Sequence, residues 1–327
     1  MARIGPADGL DGLDGLDGLD GLDGLSRTAG GAGLSAAYRS IGISPHPTQK
    51  SFGTFDGNQW PPVSPLAAPV PLQQIFGKAP KTDYPRRAWT PFHHSIAVLG
   101  EFVRQSAEFD GAAYAWHELD QPQTAAPPPL SEPVPDEATL HAEIDELVEL
   151  IEFRPAVLNE ALIQRNAVLD YFRGLLSFNE GSHPATFHLA YVALRVGQFV
   201  AVHYKHKYSI PRPSYLAPAL MPPIDPPGHA SWVSGHATEA FLIAHCLGAV
   251  MPLAARDPAA PGGNALFRVA ERIARNREVL GLHYPTDSRG GKALAGAAFA
   301  LLMQCPSIKD AGELLDAARA EWPHDGS

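Results

Sequence analysis

The sequence predicts an all-α protein, a helical bundle preceded by an irregular region rich in proline and glycine. Three observations support this fold class. From residue 137 onward, apolar residues recur at helical spacing in one segment after another. Strand-like alternation of apolar and polar residues is not evident. Hydrophobic residues make up 45% of the 327 positions, which is enough for a sizeable core.

The N-terminal part divides into two regions. Residues 1–30 are expected to form a disordered tail, because Asp-Gly-Leu is repeated six times over 8–25 with a period that suits neither helix nor strand. Residues 31–136 are expected to wrap over the surface of the following domain. This wrap is dense in proline, with a first helix at 92–109 and a second proline-rich break at 121–135.

Residues 137–322 are predicted to form the helical domain. Asp136 is a plausible N-cap for its first helix, because its side chain can accept from the first free N–H groups. Further helices are predicted at about 155–177, 184–206, 235–254, 264–283, 287–304 and 309–320.

Composition excludes some classes of function. The formal charge is −10, but six acidic residues belong to the Asp-Gly-Leu repeat, leaving −4 for the rest. We therefore expect no nucleic-acid partner, since a basic stripe is missing. The two cysteines, Cys246 and Cys305, lie in apolar runs and are expected to be reduced core thiols.

Localisation is expected to be cytoplasmic, because the first residues lack the apolar core of a secretory signal. No membrane span is expected either. The stretches at 184–204 and 237–255 are interrupted by Arg195, Glu239 and His245, and are typical of buried helices. Assembly into a homo-oligomer through the proline-rich half stays open.

Two short motifs lie at the ends of predicted helices, the first with two cations and the second with a serine, a glycine and a histidine. Lys205 ends one predicted helix, and Arg212 follows in a turn stiffened by prolines on both sides. Ser234, Gly235 and His236 open another helix, where a hydroxyl, free N–H groups and the helix dipole favour an oxyanion. The imidazole of His236 can move protons near neutral pH.

A third motif follows in RNREVLGLHYPTD. Arg277 and His283 are six residues apart and are expected to lie on one helix, and Asp287 follows four residues after His283. Lys205, Arg212 and Arg277 together supply three cations, and the two guanidinium groups suit an oxyanion because they can bind it with two parallel hydrogen bonds. The sequence therefore predicts an active site for a tetrahedral oxyanion at the helix ends.

The three motifs in this order resemble the signature of the type 2 phosphatidic acid phosphatase and vanadium-dependent haloperoxidase superfamily. That signature is Lys-x6-Arg-Pro, then Pro-Ser-Gly-His, then Ser-Arg-x5-His-x3-Asp. The resemblance is close over residues 200–290 and loose over the rest of the helical half. Val233 stands where the family has Pro, and Asn276 where it has Ser.

The resemblance implies a role for each matched residue. His283 would attack phosphorus in a phosphatase or bind vanadate in a haloperoxidase, with Asp287 holding its other ring nitrogen. His236 would act as acid or base from the opposite side. The oxyanion-binding set would be Lys205, Arg212, Ser234, Gly235 and Arg277.

We expect first a haloperoxidase that oxidises halide with hydrogen peroxide, with vanadate as cofactor. His229, which resembles the upstream histidine of bromoperoxidases, favours this reading, and His229 and Trp232 are candidates for the halide side of the pocket. The first alternative is a soluble acid phosphatase that hydrolyses phosphate monoesters through a phosphohistidine. The second is a non-catalytic oxyanion-binding protein. His203 and His206 are three residues apart and could suggest a site for a divalent metal ion. No third ligand at an established metal-site spacing accompanies them, so they are expected to be solvated or core side chains.

Overall fold

The computed structural model describes residues 89–109, 112–120, 136–251 and 264–322. The predicted tail, the wrap before residue 89 and the proline-rich break at 121–135 lie outside the described residues. Within the described residues, eight helices have nine or more residues, which confirms the all-α class. They are α1 Pro91–Phe102, α2 Glu137–Glu149, α3 Arg154–Gln164, α4 Val168–Leu176, α5 Pro184–Tyr208, α6 Gly235–Gly248, α7 Ala265–Val279 and α8 Pro285–Leu302.

The helix starts follow local rules that the sequence carries. The side chain of Asp136 accepts from the Thr139 main-chain N–H at 2.7 Å, as predicted for an N-cap. Thr90 and Asn264 cap α1 and α7 in the same way. Three of these eight helices begin with proline, where the missing N–H costs nothing: Pro91, Pro184 and Pro285.

The region after α1 differs from the prediction of one helix over 92–109. The helix ends at Phe102, because the N–H groups of Arg104 and Gln105 donate to the carbonyl oxygens of Glu101 and Phe102 in i to i−3 bonds and do not continue the α-helical pattern. An antiparallel hairpin follows, with β1 Ser106–Phe109 paired to β2 Ala112–Ala115. Both strands were missed, since four residues are too few to show a period.

The longest helix, α5, runs through the centre of the bundle. The stretch Pro184–Leu216 is long and apolar enough to cross a membrane by length and composition, despite Arg195. In the structure, 67% of an apolar 18-residue segment within this stretch is buried inside the domain. Its neighbours include α1, α6, α8 and the short helix Leu314–Arg319. Burial on several sides explains why this helix is apolar around most of its circumference.

Helix α6 is packed between α5, α7 and α8, and glycines permit two of these contacts. A Cβ on Gly197 of α5 would lie 3.0 Å from Cα of Glu239 in α6. A Cβ on Gly291 of α8 would lie 2.8 Å from the carbonyl oxygen of Ser234. Both distances are below ordinary van der Waals contact, so a larger residue at either position would push the helices apart.

The core joins the residues around the hairpin to the bundle. Val98, Phe102, Tyr114 and Leu119 belong to the same buried cluster as α5, α6 and α8. Cys246 and Cys305 are both buried and unpaired. This packing brings the C-terminal ends of α5 and α7 next to the N-terminal ends of α6 and α8. Lys205, Arg277, Asp287 and the Ser234–His236 segment lie at these helix ends, and the other predicted site residues lie in the loops that join them.

Candidate active site

One cavity of about 610 Å³ is lined by residues from all three sequence motifs. Three cations, three imidazoles and one glycine meet there, although the sequence spreads them over nearly eighty positions. The motif residues on its surface are Lys205, Arg212, His229, Gly235, His236, Arg277 and His283. We call this end of the cavity the cradle.

Lys205 lies in the last turn of α5 and is almost fully buried. Its ammonium group donates to the carbonyl oxygens of Ala230 at 3.0 Å and Ser231 at 2.9 Å. Arg277 lies in the last turn of α7, and its Nη2 donates to the carbonyl oxygen of Ala161. Both cations therefore sit at helix C-termini, where the helix dipole favours positive charge.

Arg212 connects three parts of the cradle. Its Nη1 donates to the carbonyl oxygen of Leu282 at 2.8 Å and to Nε2 of His283 at 3.0 Å. Its Nε donates to the carbonyl oxygen of His229, and its Nη2 to the ring Nδ1 of His229 at 2.9 Å. Only 2% of the surface of Arg212 is exposed, so these contacts fix the position of its side chain.

His283 is a neutral imidazole whose protonated nitrogen can be assigned. A guanidinium group only donates, so Nε2 of His283, which contacts Arg212, must carry the lone pair. The proton is then on Nδ1, which donates to Oδ2 of Asp287 at 2.9 Å. Burial, and then the charges of Arg212 and Lys205, lower the pKa of His283 well below 6.5. The nucleophilic lone pair on Nε2 thus persists at mildly acidic pH.

The position of His283 corrects one detail of the sequence interpretation. Arg277 and His283 were expected on a single helix, but α7 ends at Val279. Gly281 has φ of 73°, a left-handed conformation that favours glycine and ends helices. The chain therefore turns between the two residues, and His283 enters the cradle from the loop before α8.

The start of α6 supplies a second imidazole. His236 lines the cavity, and its buried Nε2 has no hydrogen-bond partner among the described residues. Burial, and then the charge of Arg277, lower its pKa well below 6.5, while main-chain carbonyl groups of Arg165 and Gln164, which accept from the ring, oppose this. A buried polar atom without a partner is costly, so this nitrogen suits a ligand that can hydrogen-bond to it.

Two predicted residues lie behind the cavity surface. Ser234 caps α6, its hydroxyl accepting from the Ala237 N–H at 3.4 Å, and is not among the residues that line the cavity. Trp232 is also buried away from it, with its ring 4.6 Å from that of Tyr208. His229, in contrast, lies in the cradle. Burial, and then Lys205 and Arg212, lower its pKa to about 4.

The two departures from the family signature can also be located. Val233 is fully buried next to α8, where a Cβ on Gly290 would lie 3.0 Å from it. Asn276 donates from its side-chain amide to Oε1 of Gln164 at 2.9 Å. This bond ties the end of α7 to α3, so it supports the helix that carries Arg277.

Ser231 was not singled out from the sequence, yet it contacts several parts of the site. Its hydroxyl donates to Oδ2 of Asp287, the same oxygen that accepts from Nδ1 of His283. Its carbonyl oxygen accepts from Lys205, and its N–H donates to the carbonyl oxygen of Ile210 at 2.8 Å. Nothing in the sequence indicates this role, because Asp287 is 56 residues away.

Asp287 is therefore held by a set of donors on one oxygen. Oδ2 accepts from Ser231, His283 and the Tyr284 N–H at 3.1 Å. Burial raises the pKa of Asp287 to about 6, and the hydrogen bond from Ser231 is the largest influence that opposes this rise. The hydroxyl thus stabilises the ionised carboxylate that orients His283.

We expect Ser231→Ala to lower kcat by about 10- to 100-fold with little change in the affinity for inorganic phosphate. The hydroxyl that orients Asp287 is lost, whereas the carbonyl group that holds Lys205 is kept. Steady-state kinetics and phosphate titration by calorimetry measure the two effects. Ser95→Ala is the matched control, since its buried hydroxyl only donates to the carbonyl oxygen of Phe92. A loss of phosphate affinity equal to the loss of kcat would contradict this role.

Among the described residues, no group of three or more His, Cys, Asp or Glu side chains is arranged to hold a metal ion. The site combines three cations with three neutral imidazoles, a set of groups that suits a tetrahedral oxyanion. No curated protein sequence matches the chain closely. Residues 185–310, which contain every cradle residue, match the family model of the PAP2 superfamily. This part of the helical domain belongs to the PAP2 superfamily.

Proposed function

We propose that this protein hydrolyses phosphate monoesters through a phosphohistidine at His283. Membership of the PAP2 superfamily supports an enzyme of the phosphatase or haloperoxidase type. The observation that carries the proposal is a shared cavity: Lys205, Arg212 and Arg277 line it together with His283, whose Nε2 lone pair accepts from Arg212. Its volume of about 610 Å³ lies in the range of roughly 300–1,000 Å³ that is typical of sites for small organic molecules.

We place hydrolysis before halide oxidation, although the sequence alone favoured the reverse order. A halide ion and hydrogen peroxide need little space beyond the oxyanion itself. The cavity continues from the cradle to residues as distant as Leu99 and Trp116, which leaves room for the organic group of an ester. Hydrolysis also needs no reactant other than water.

The first chemical step is transfer of the phosphoryl group to His283. The ester's phosphate oxygens take over the guanidinium contact that Nε2 of His283 has with Arg212, and this frees the lone pair to attack phosphorus. The bond between phosphorus and the ester oxygen breaks as the bond between phosphorus and nitrogen forms. Asp287 stabilises the positive charge that develops on the ring.

His236 then serves as the proton carrier. Burial, and then the charge of Arg277, keep its pKa low, but a bound phosphate ester brings negative charge beside it and raises that pKa. The protonated ring donates to the leaving oxygen. In the second step, neutral His236 takes a proton from water, the water oxygen attacks phosphorus, the bond to His283 breaks and inorganic phosphate leaves.

The second candidate is halide oxidation by a vanadate-loaded protein. The contact between His229 and Arg212 beside the cradle favours it, since this histidine was predicted on the halide side. The residues present fit vanadate, because three cations and the unpartnered Nε2 of His236 suit its oxygens as they suit those of phosphate. Bound vanadate would supply a Lewis acid for hydrogen peroxide, and His283 would hold it.

One set of assays separates these functions. Purified protein is tested for phosphate release from glycerol 2-phosphate and phenyl phosphate, with and without orthovanadate, and then for bromide oxidation with hydrogen peroxide after vanadate loading. We expect hydrolysis that orthovanadate inhibits, because vanadate resembles the transition state of phosphoryl transfer. Bromide oxidation without hydrolysis would establish the second candidate instead. Phosphate binding without either reaction would leave an oxyanion-binding protein.

A further inference from the structure

The cavity extends from the cradle along one face of α5. Phe199, Val202 and His203 line it on the side toward the helix N-terminus, before Lys205 is reached. Phe199 is six residues from Lys205, which corresponds to about 9 Å along the helix axis. The organic group of a bound ester therefore passes these side chains as it leaves the cradle.

Aromatic rings form one wall of this part of the cavity. The Trp116 ring lies 4.6 Å from that of Phe199 and 4.8 Å from that of His203, measured between ring centroids. We call these three residues the aromatic wall. Leu99 and Val202 extend its apolar surface.

The aromatic wall is held in place by the buried side chain of Tyr204. The hydroxyl of Tyr204 donates to the carbonyl oxygen of Trp116 at 3.1 Å and accepts from the Leu119 N–H at 2.9 Å. Tyr204 is itself completely buried on α5. The short 3-10 helix Trp116–Glu118 is thereby fixed against α5, so the wall is a preformed surface.

The wall carries little net charge. Burial, and then the charge of Lys207, lower the pKa of His203, so its ring is neutral at physiological pH. Farther from the cradle, Arg195 is near the opposite charge of Glu239, and its Nη1 donates to the side chain of Gln198 at 2.9 Å. The positive charge near the wall is lower than in the cradle. The wall is therefore not suited to bind a second anionic group on the substrate.

We propose that the aromatic wall binds the organic group of the substrate, and that the preferred substrates are phosphate monoesters of extended aromatic alcohols. This inference rests on the proposed phosphatase function and specifies its substrate class. Within the wall, His203 is about 3 Å from Lys205 along the helix axis and Phe199 about 9 Å, so the far part of the wall lies beyond the reach of a single benzene ring. A two-ring group reaches Phe199 and Trp116 and stacks on them.

The test compares 2-naphthyl phosphate, phenyl phosphate and glycerol 2-phosphate. Phenol and 2-naphthol are leaving groups of similar acidity, so a difference between their esters reports on binding of the second ring. We expect kcat/KM for the naphthyl ester to exceed that for the phenyl ester by about tenfold, mainly through KM. Equal values in the wild-type protein would overturn the proposal.

Variants of the wall connect that preference to named residues. Trp116→Ala is expected to bring the ratio of naphthyl to phenyl kcat/KM close to one, because the second ring of the naphthyl ester loses its stacking partner. Trp322→Ala is the matched control, because Trp322 donates to Thr186 outside the cavity. An unchanged ratio in Trp116→Ala would also overturn the proposal.

A second variant tests the same wall without removing a packed ring. Val202 lines the cavity but is 57% exposed, so Val202→Trp can be accommodated without disturbing the core. The larger side chain narrows the cavity and is expected to lower kcat/KM for the naphthyl ester by at least about fivefold more than for glycerol 2-phosphate. An equal effect on both esters counts against the wall.

The outcomes also separate this inference from the proposed function. Hydrolysis of glycerol 2-phosphate and phenyl phosphate without a naphthyl preference removes the substrate class and leaves the phosphatase intact. Absence of hydrolysis with every ester removes the phosphatase function, and the substrate class with it.

Discussion

His283→Ala is expected to lower kcat for phosphate monoester hydrolysis by about 10⁴-fold or more, because the atom that bonds to phosphorus is removed. Binding of inorganic phosphate should persist, since Lys205, Arg212 and Arg277 supply the charges that attract it. Steady-state kinetics measure the loss of turnover, and calorimetric titration with phosphate measures the retained binding.

His245→Ala is the matched control for this prediction. His245 is also a histidine in a packed region, but it stacks on Phe299, contacts Phe267 edge to face and does not line the cavity. We expect the control to lose some thermal stability and to keep its turnover. Hydrolysis by His283→Ala at a rate near that of the wild type would show that another group attacks phosphorus.

Arg212→Lys is expected to lower kcat/KM by about 10²- to 10³-fold, although the positive charge is kept. The guanidinium group contacts the carbonyl oxygens of Leu282 and His229 and the ring of His283 at the same time. A single ammonium group cannot make all of these contacts and also bind two phosphate oxygens. The loss should therefore appear in kcat as well as in KM.

Arg272→Lys provides the comparison for Arg212→Lys. Arg272 is exposed and pairs with Glu160 on the surface, so the same change there should alter kcat/KM by less than about twofold. Steady-state kinetics on both variants measure the difference. If the two variants lose the same activity, the contacts of Arg212 are not what the reaction depends on.

The helices could be predicted where the signal is local. Asp136 was identified as an N-cap from its residue type and the apolar pattern after it, and it caps α2. The end of α7 was missed, although Gly281 was a visible stop signal two residues before His283. The predicted helix at 155–177 is two helices, α3 and α4, separated by a turn at 165–167. The sequence does not indicate this turn, because the apolar pattern continues through it.

The cradle could be predicted because its residue types and spacings are themselves the signal. Lys205, Arg212, His236, Arg277 and His283 line one cavity, as their order in the sequence indicated. The roles assigned to them stay predictions until the variants are measured. The sequence did not indicate how these groups are supported, because supporting contacts join distant segments.

Two such contacts illustrate the limit. The hydroxyl of Ser231 reaches Asp287 across 56 positions, and Trp116 reaches Phe199 from the segment after the hairpin. A serine and a tryptophan in these segments carry no period or spacing that points to their partners. Both contacts follow from how α5, α6 and α8 pack, which the sequence pattern does not specify.

The most direct test of the cradle is a crystal structure of the protein with orthovanadate. We predict one vanadate in the cavity, with its vanadium bonded to Nε2 of His283, its oxygens contacted by Lys205, Arg212 and Arg277, and His236 on the opposite side. Vanadate bound elsewhere, or within the cavity but away from His283, would contradict a single oxyanion site formed by these residues.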